Sequence, residues 1–327
     1  MKFAVISDVH GNYPALRAVL DDAERRGITR YLFAGDYGIS NPYPDECITA
    51  IRAVPDKVVI RGNEERYLKN LIGKDPAEWT DGQMQVSYWT FRSISRDNLD
   101  YLLSLPHTAD FEYSGMPVHM AHPSEAFLPG YEFRRWGSTN IAKKYADTDV
   151  TREMLHRDMQ EDMEHDSFFQ EIVSRLEKGV YIFGHSHVQW SYLAEDRGVY
   201  LVNPGSCGLP LDGIRNSIPY TVLEITDAGK VSVEEIQLPF DKAAYIREME
   251  QTGQFREANI WSRLIMKELG AAKEHVYFFL CFAEEYARQI GDCRRPFALD
   301  TWEKAYEAWE QITETAYPWS GLPDDDN

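Results

Sequence analysis

Residues 2–12, Lys2-Phe3-Ala4-Val5-Ile6-Ser7-Asp8-Val9-His10-Gly11-Asn12, pass from an unbroken apolar run straight into a polar cluster that holds a carboxylate and an imidazole. A short apolar run of this kind reads as a buried strand. Asp8 and His10 follow its C-terminal end two residues apart, so along an extended chain both side chains face the same way. Asn12 comes before Tyr13-Pro14-Ala15-Leu16, and Pro14 suits the first turn of a helix. Asn12 is therefore a candidate substrate-binding position, at a helix start whose free N–H groups suit a phosphate.

The same arrangement recurs along the chain. Tyr31–Ala34 runs into Gly35-Asp36, Val58–Ile60 into Arg61-Gly62-Asn63-Glu64-Glu65, Val118–Ala121 into His122, and Val180–Phe183 into Gly184-His185-Ser186-His187. Strands at 2–7, 30–35 and 57–61 alternate with helices at 14–26, 44–53 and 64–72, a βαβ pattern that predicts a parallel sheet with ligands at its carboxyl edge. Runs 109–113 and 116–121 flank Ser114-Gly115 as a hairpin. Runs 189–194, 199–202, 219–225 and 230–237 predict a second, antiparallel-rich sheet. About sixty residues separate His122 from Gly184, more than a crossover needs, and they include a helical stretch over 151–178. This segment could fold over the site, with Arg134, Arg135 and Trp136 against phosphate and an aromatic base, or be a surface elaboration with Trp136 packed down. From Asp241 onward only helices are expected, over 242–250, 254–269, 271–290 and 300–316, with Trp261, Tyr277, Phe278, Phe282, Tyr286, Trp302, Tyr306 and Trp309 in a helical core or docked onto the sandwich.

The ordered polar set, Asp8, His10, Asp36, Asn63, His122, His185 and His187, has the chemistry of a metal centre. Asp36 can bridge two cations through its two oxygens, Asn63 offers a neutral carbonyl oxygen, and the histidines offer ring nitrogens. Imidazole with carboxylate suits Mn²⁺ first, and Fe²⁺, Zn²⁺, Co²⁺ or Ni²⁺ as well, better than Ca²⁺. Two such cations clamp a phosphoryl group and turn a bridging water into hydroxide at neutral pH. The centre would also stay cationic, so an anionic ester can enter a chain of net charge −19. Arg61 is a second candidate for substrate binding, through a two-pronged contact to phosphate, with a salt bridge to Asp36 or Glu65 as the competing reading. His119 competes with His122, but three residues apart on a strand they face opposite sides, and His122 is at the strand end.

With these residues in view, the chain resembles the calcineurin-like metallophosphoesterases, whose pattern is D-x-H, G-D, G-N-H-[D/E], H and G-H-x-H. Here it reads Asp8-Val9-His10, Gly35-Asp36, Gly62-Asn63-Glu64-Glu65, His122 and Gly184-His185-Ser186-His187. Ser7-Asp8-Val9-His10-Gly11-Asn12 and Asn203-Pro204-Gly205-Ser206 resemble the compact bacterial and archaeal phosphodiesterase branch. The resemblance implies a four-layer α-β-β-α sandwich over residues 1–238, with an insertion at about 123–178 and a helical C-terminal extension over 239–327. It implies one metal on Asp8, His10, Asp36 and His187 and another on Asp36, Asn63, His122 and His185. It also makes Asp36, Asn63, Glu64 and Glu65 the catalytic set. Where the larger family has a histidine that protonates the leaving alcohol this chain has Glu64, so Glu64 or Glu65 is expected to assist departure. The expected activity is phosphodiester hydrolysis, with phosphomonoesterase, protein phosphatase or dinucleoside polyphosphate hydrolase as alternatives, and a non-catalytic protein-binding scaffold as the reading of another class.

Composition bounds the partners. A chain of 327 residues, 43% hydrophobic, buries a large core, and its acidity opposes sequence-independent binding to nucleic acid or to an anionic membrane. Neither a signal segment nor a run long enough to span a bilayer is read, and Cys47, Cys207, Cys281 and Cys293 form no C-x-x-C pair, so a cytoplasmic protein with free thiols is expected. From Asp241 onward ten Lys or Arg face seventeen Asp or Glu, which disfavours a nucleic-acid clamp and leaves homo-oligomerisation or protein docking open for those helices.

Overall fold

A computed structural model describes residues 1–131 and 135–322. Two five-stranded sheets face each other. In the first, β1 (Lys2–Ile6) is the central strand, parallel to β2 (Arg30–Phe33), which is parallel to β3 (Lys57–Val59). In the second, β4 (Thr108–Tyr113) pairs antiparallel with β5 (Met116–Ala121), β6 (Gly179–Ile182) runs parallel to β5 and to β8 (Val199–Pro204), and β7 (Gln189–Ala194) closes the edge antiparallel to β8.

Alternation along β1 separates the layers. Phe3 and Val5 join Leu32, Val118, Val180 and Val202 in the core between the sheets. Ala4 and Ile6 face outward, into a core shared with α1 (Tyr13–Arg25), α2 (Pro44–Ala53) and α5 (Arg96–Ser104). The outer face of the second sheet packs against the segment after His122, through α6 (Ser138–Lys144), α7 (Arg152–His165) and α8 (Ser167–Arg175). This is the four-layer sandwich, with every sheet face covered.

Strand partners depart from expectation. β9 (Ser217–Ile225) and β10 (Val231–Pro239) do not join the second sheet; β9 pairs antiparallel with β1, and β10 with β9, so both extend the first sheet. Their apolar alternation suits either sheet, and only the long-range pairing distinguishes them. The helical stretch after Thr151 divides at Asp166, whose carboxylate caps α8 by accepting from Phe168 N and Phe169 N.

From Lys242 the described chain is helical: α9 (Lys242–Met249), α10 (Gly253–Glu257), α11 (Asn259–Ala271), α12 (Val276–Ile290) and α13 (Leu299–Thr313). The helix expected over 254–269 breaks at Ala258, and α12 starts at Val276 rather than at residue 271. Phe279, Trp302, Tyr306 and Trp309 form the aromatic core of these helices, while Tyr277 stays 55% exposed. Their other contacts bind them to the sandwich. Trp261 Nε1 donates to Gln83 O at 2.6 Å, just before α4 (Gln85–Ser93), and Lys273 Nζ donates to Ala146 O at 3.0 Å, beyond α6. No described helix is long and apolar enough to cross a membrane, and the four cysteines are not joined in disulfides.

Candidate metal centre

The strand-end clusters meet at one edge of the facing sheets. Asp8, His10, Asp36, His185 and His187 all adopt left-handed backbone, with φ of 53°, 50°, 56°, 73° and 61°. Non-glycine residues adopt this conformation at a cost, and a cluster of them marks a site where the surroundings enforce it. Here the enforcement is visible. Asp8 N donates to Gly35 O and His10 N to Asp36 O, each at 3.0 Å, so the turn after β1 is laced to the turn after β2. Ser206 Oγ donates to Asp8 O at 2.7 Å, and Asn203 Nδ2 donates to Ser186 Oγ at 2.9 Å, clasping the His185–His187 loop.

Close approach explains the glycines. A Cβ at Gly62 would overlap the Asp36 carboxylate, and one at Gly184 would overlap Ser7 Oγ and the Asp8 carboxylate. Glu64 N donates to Asp36 Oδ1 at 2.9 Å, which orients the carboxylate that both candidate metal sets share.

Three imidazoles are locked in one orientation. Nδ1 donates to a backbone carbonyl in each: His10 to Ile39 O at 3.1 Å, His122 to Ala34 O at 2.7 Å, His187 to Leu209 O at 2.8 Å. A carbonyl only accepts, so Nδ1 carries a hydrogen in each, which leaves Nε2 as the atom a metal would take. Those Nε2 atoms converge on one another and on carboxylates. His10 Nε2 and His187 Nε2 are 3.0 Å apart, His187 Nε2 is 3.4 Å from Asp8 Oδ1, and His122 Nε2 is 3.1 Å from Asp36 Oδ2. His122 Nε2 and Asn63 Oδ1 are buried without a hydrogen-bond partner. Such a set fits divalent cations: against burial, the surrounding carboxylates raise His10 well above the ordinary imidazole value and His122 to about 10, so protons stand where cations would supply the charge.

Among the described residues, ligand atoms gather into two principal groups, Asp8 with His10 and His187, and Asp36 with His122 and His185; Asp36 also lies with His10 and Glu64. The resemblance to the metallophosphoesterases implies sets built on these groups, with Asp36 common to both and Asn63 in the second. Burial alone would raise the carboxyls of Asp8 and Asp36, yet the imidazoles around them hold both below the usual carboxylate range. Burial keeps His187 neutral, down to about 4. Burial pushes Glu64 and Glu65 up to about 7.

The two glutamates do different things. Glu64 Oε2 accepts from His10 Nδ1 at 3.0 Å, and Glu64 lines the cavity beside the ligands. Glu65 is 1% exposed and is held by backbone: Oε1 accepts from Tyr37 N at 3.0 Å and Oε2 from Gly62 N at 2.7 Å. Both its oxygens brace the turns that carry Asp36 and Asn63, so its expected part in leaving-group departure is corrected to a structural one. Tyr37 completes that brace and was not singled out in the sequence. Its hydroxyl donates to Ile60 O at 2.5 Å and accepts from Gly35 N at 2.9 Å.

Both candidates for substrate binding are corrected as well. Asn12 is fully buried; Oδ1 accepts from Ala15 N at 3.2 Å to cap α1, and Nδ2 donates to Gly208 O at 2.9 Å. Its amide is consumed in joining two loops. Arg61 turns to the surface, where Nε donates to His107 Nε2 at 3.1 Å, and it forms no ion pair with Asp36 or Glu65. His119 stacks on Tyr181 and bonds Asp110, on the face away from the centre. Trp136 is packed down and Arg135 pairs with Asp166, while Arg134 lies outside the described residues. Cys207 is buried in the core, where burial pushes its thiol up.

A cavity of about 430 Å³ opens beside the ligands. Its walls include Met84, Trp261, Val276 and Leu280. Sequence reading placed Trp261 in a helical core or docked onto the sandwich; it packs against both cores and also faces this cavity, for which periodicity carries no signal.

Comparison with known proteins gives the following. Residues 1–228 match the family model of the calcineurin-like phosphoesterase superfamily domain. An uncharacterised protein of Methanocaldococcus jannaschii is 28% identical over 256 residues, covering 73% of this chain and 89% of that one. A metallophosphoesterase from Sphaerobacter thermophilus superposes with a TM-score of 0.52 at 24% identity, over 83% of this chain and 100% of that one. A hypothetical protein from Pyrococcus horikoshii superposes with a TM-score of 0.56 at 17% identity, over 84% and 99%. At these identities the two structures speak for the fold.

Proposed function

Because the chain belongs to the calcineurin-like phosphoesterase superfamily and is a metal-dependent phosphoric ester hydrolase, we propose that it cleaves phosphodiesters at a dinuclear centre held by Asp8, His10, Asp36, Asn63, His122, His185 and His187. The observation that carries this reading is the convergence of three Nε2 atoms and two carboxylates on one buried space.

Two divalent cations, Mn²⁺ first among them, would supply charge neutralisation at phosphorus and a nucleophilic water at neutral pH. The rest is the work of side chains. Asp36 is shared by both halves, with Oδ1 fixed by Glu64 N. Ile39, Ala34 and Leu209 carbonyls hold His10, His122 and His187 in the orientation that presents Nε2. Glu64 keeps its carboxyl against His10 and in the cavity, the position from which a proton can pass to a departing alcohol.

The test is metal content after purification, followed by turnover of bis-p-nitrophenyl phosphate and p-nitrophenyl phosphate with each divalent ion. Metal uptake and faster diester cleavage, abolished by Asp36→Asn and His122→Ala, are expected. A protein unable to take up Mn²⁺ would overturn the reading in favour of a binding scaffold.

A further inference from the structure

We propose that the cavity beside the ligands is a pocket for the organic arm of the ester, and that it selects an uncharged arm of aromatic size over a small or an anionic one; this rests on the phosphoesterase reading above. The cavity begins at His10, Asn63 and His187 and continues, without interruption, between Met84, Trp261, Val276 and Leu280. At about 430 Å³ it falls in the range of pockets that enclose a small organic molecule. A phosphoryl group placed at the ligands therefore directs one substituent into an apolar space.

The aromatic wall is rigid. Trp261 is tied by Nε1 to Gln83 O and packs on Trp302 with ring centroids 5.7 Å apart, so its ring does not have to be ordered on binding. The floor of α12 is also tied. Glu268 Oε1 accepts from His275 N and Val276 N, both at 2.8 Å, and Glu274 accepts from Tyr277 N at 2.8 Å and from Ser138 Oγ at 2.6 Å.

Charge supplies the selection against a second anion. Glu64, Glu274 and Glu268, the last holding its proton, line the cavity, and among the described lining residues there is neither Lys nor Arg. A carboxylate or further phosphate on the arm would be desolvated beside acids with no cation to receive it. An aromatic ring meets the opposite situation, since its burial releases water from apolar surface on both sides.

The experiment is calorimetric binding of three phosphonates to the Mn²⁺-loaded full chain: methylphosphonate, phenylphosphonate and 4-carboxyphenylphosphonate, whose para carboxylate cannot reach the metals. Phenylphosphonate is expected to bind about ten-fold or more tighter than methylphosphonate, and 4-carboxyphenylphosphonate about ten-fold weaker than phenylphosphonate. Leu280→Trp, which fills the cavity at a partly exposed position, should erase the preference for phenyl and leave methylphosphonate binding unchanged. Equal affinity for the three compounds in the wild-type chain would overturn the pocket while leaving the phosphoesterase reading intact. Failure to bind any of them, together with no ester turnover, would overturn the phosphoesterase reading itself.

Discussion

His10 Nε2 and His187 Nε2 lie 3.0 Å apart, although their Nδ1 atoms are each committed as donors to a backbone carbonyl. Burial opposes a charged His10, yet Glu64, Asp8 and Asp36 raise it well above the ordinary imidazole value, so without metal a proton bridges the two nitrogens and a divalent cation takes its place. Cations that bind the folded site and not the unfolded chain stabilise the fold by mass action. Chelation with EDTA should lower the melting temperature, and Mn²⁺ should restore it in a concentration-dependent way, by about 2.7 kcal/mol at a hundred times Kd. Differential scanning calorimetry across a Mn²⁺ series checks this, and a melting temperature indifferent to the metal would contradict it.

Gly62→Ala should abolish metal binding more than it harms folding. The added Cβ meets the Asp36 carboxylate. Overpacking of this kind costs about 1–3 kcal/mol, and the displaced carboxylate is the one common to both halves of the centre. Metal content and a denaturation curve on one sample separate the two effects.

The neighbouring glutamates should respond in opposite ways. Glu65→Gln replaces an acceptor with an NH₂ that faces Tyr37 N or Gly62 N, so it should destabilise the fold by about 1–3 kcal/mol. Glu64→Gln, with its oxygen in the cavity, should leave stability within about 0.5 kcal/mol and lower kcat, most for esters of poor leaving groups. Equal effects of the two changes on stability and rate would remove the distinction drawn between them.

Arg61→Ala should leave kcat/KM within about two-fold, as expected for a surface side chain that holds only His107. A large rise in KM would return Arg61 to the phosphate.

Glu268 should make stability fall with pH. Burial, helped by the charge of Glu274 and a hydrogen bond with it, holds the Glu268 carboxyl well above the usual range. The folded chain therefore keeps a proton that the unfolded chain has released, and this stabilisation, full below about pH 4, is lost as pH rises through the folded-state value. Glu268→Gln mimics the protonated form and still accepts from His275 N and Val276 N. Its melting temperature relative to wild type should rise between pH 5 and pH 9, and a constant difference would refute the assignment.

The order of the candidate ligands along the chain and the strand before each of them were legible in the sequence, because each depends on local spacing and on a motif that recurs at strand ends; the grouping of His10 with His187 and of His122 with His185 came only from the family resemblance. The same local rules misled where a neighbour far along the chain decided the outcome. β9 and β10 alternate as strands of either sheet would, and only pairing with β1 assigns them to the first. Arg61 sits one residue before a ligand turn, yet Pro106 O takes its N–H at 2.8 Å and His107 its side chain. Asn12 and Glu65 carry the polar groups of a binding site but spend them on backbone that burial would otherwise leave unsatisfied. The cavity wall was illegible for the same reason. Trp261 and Leu280 have the spacing of core residues, and which apolar face of a helix meets another helix and which meets open space beside a metal centre is set by packing between segments some two hundred residues apart.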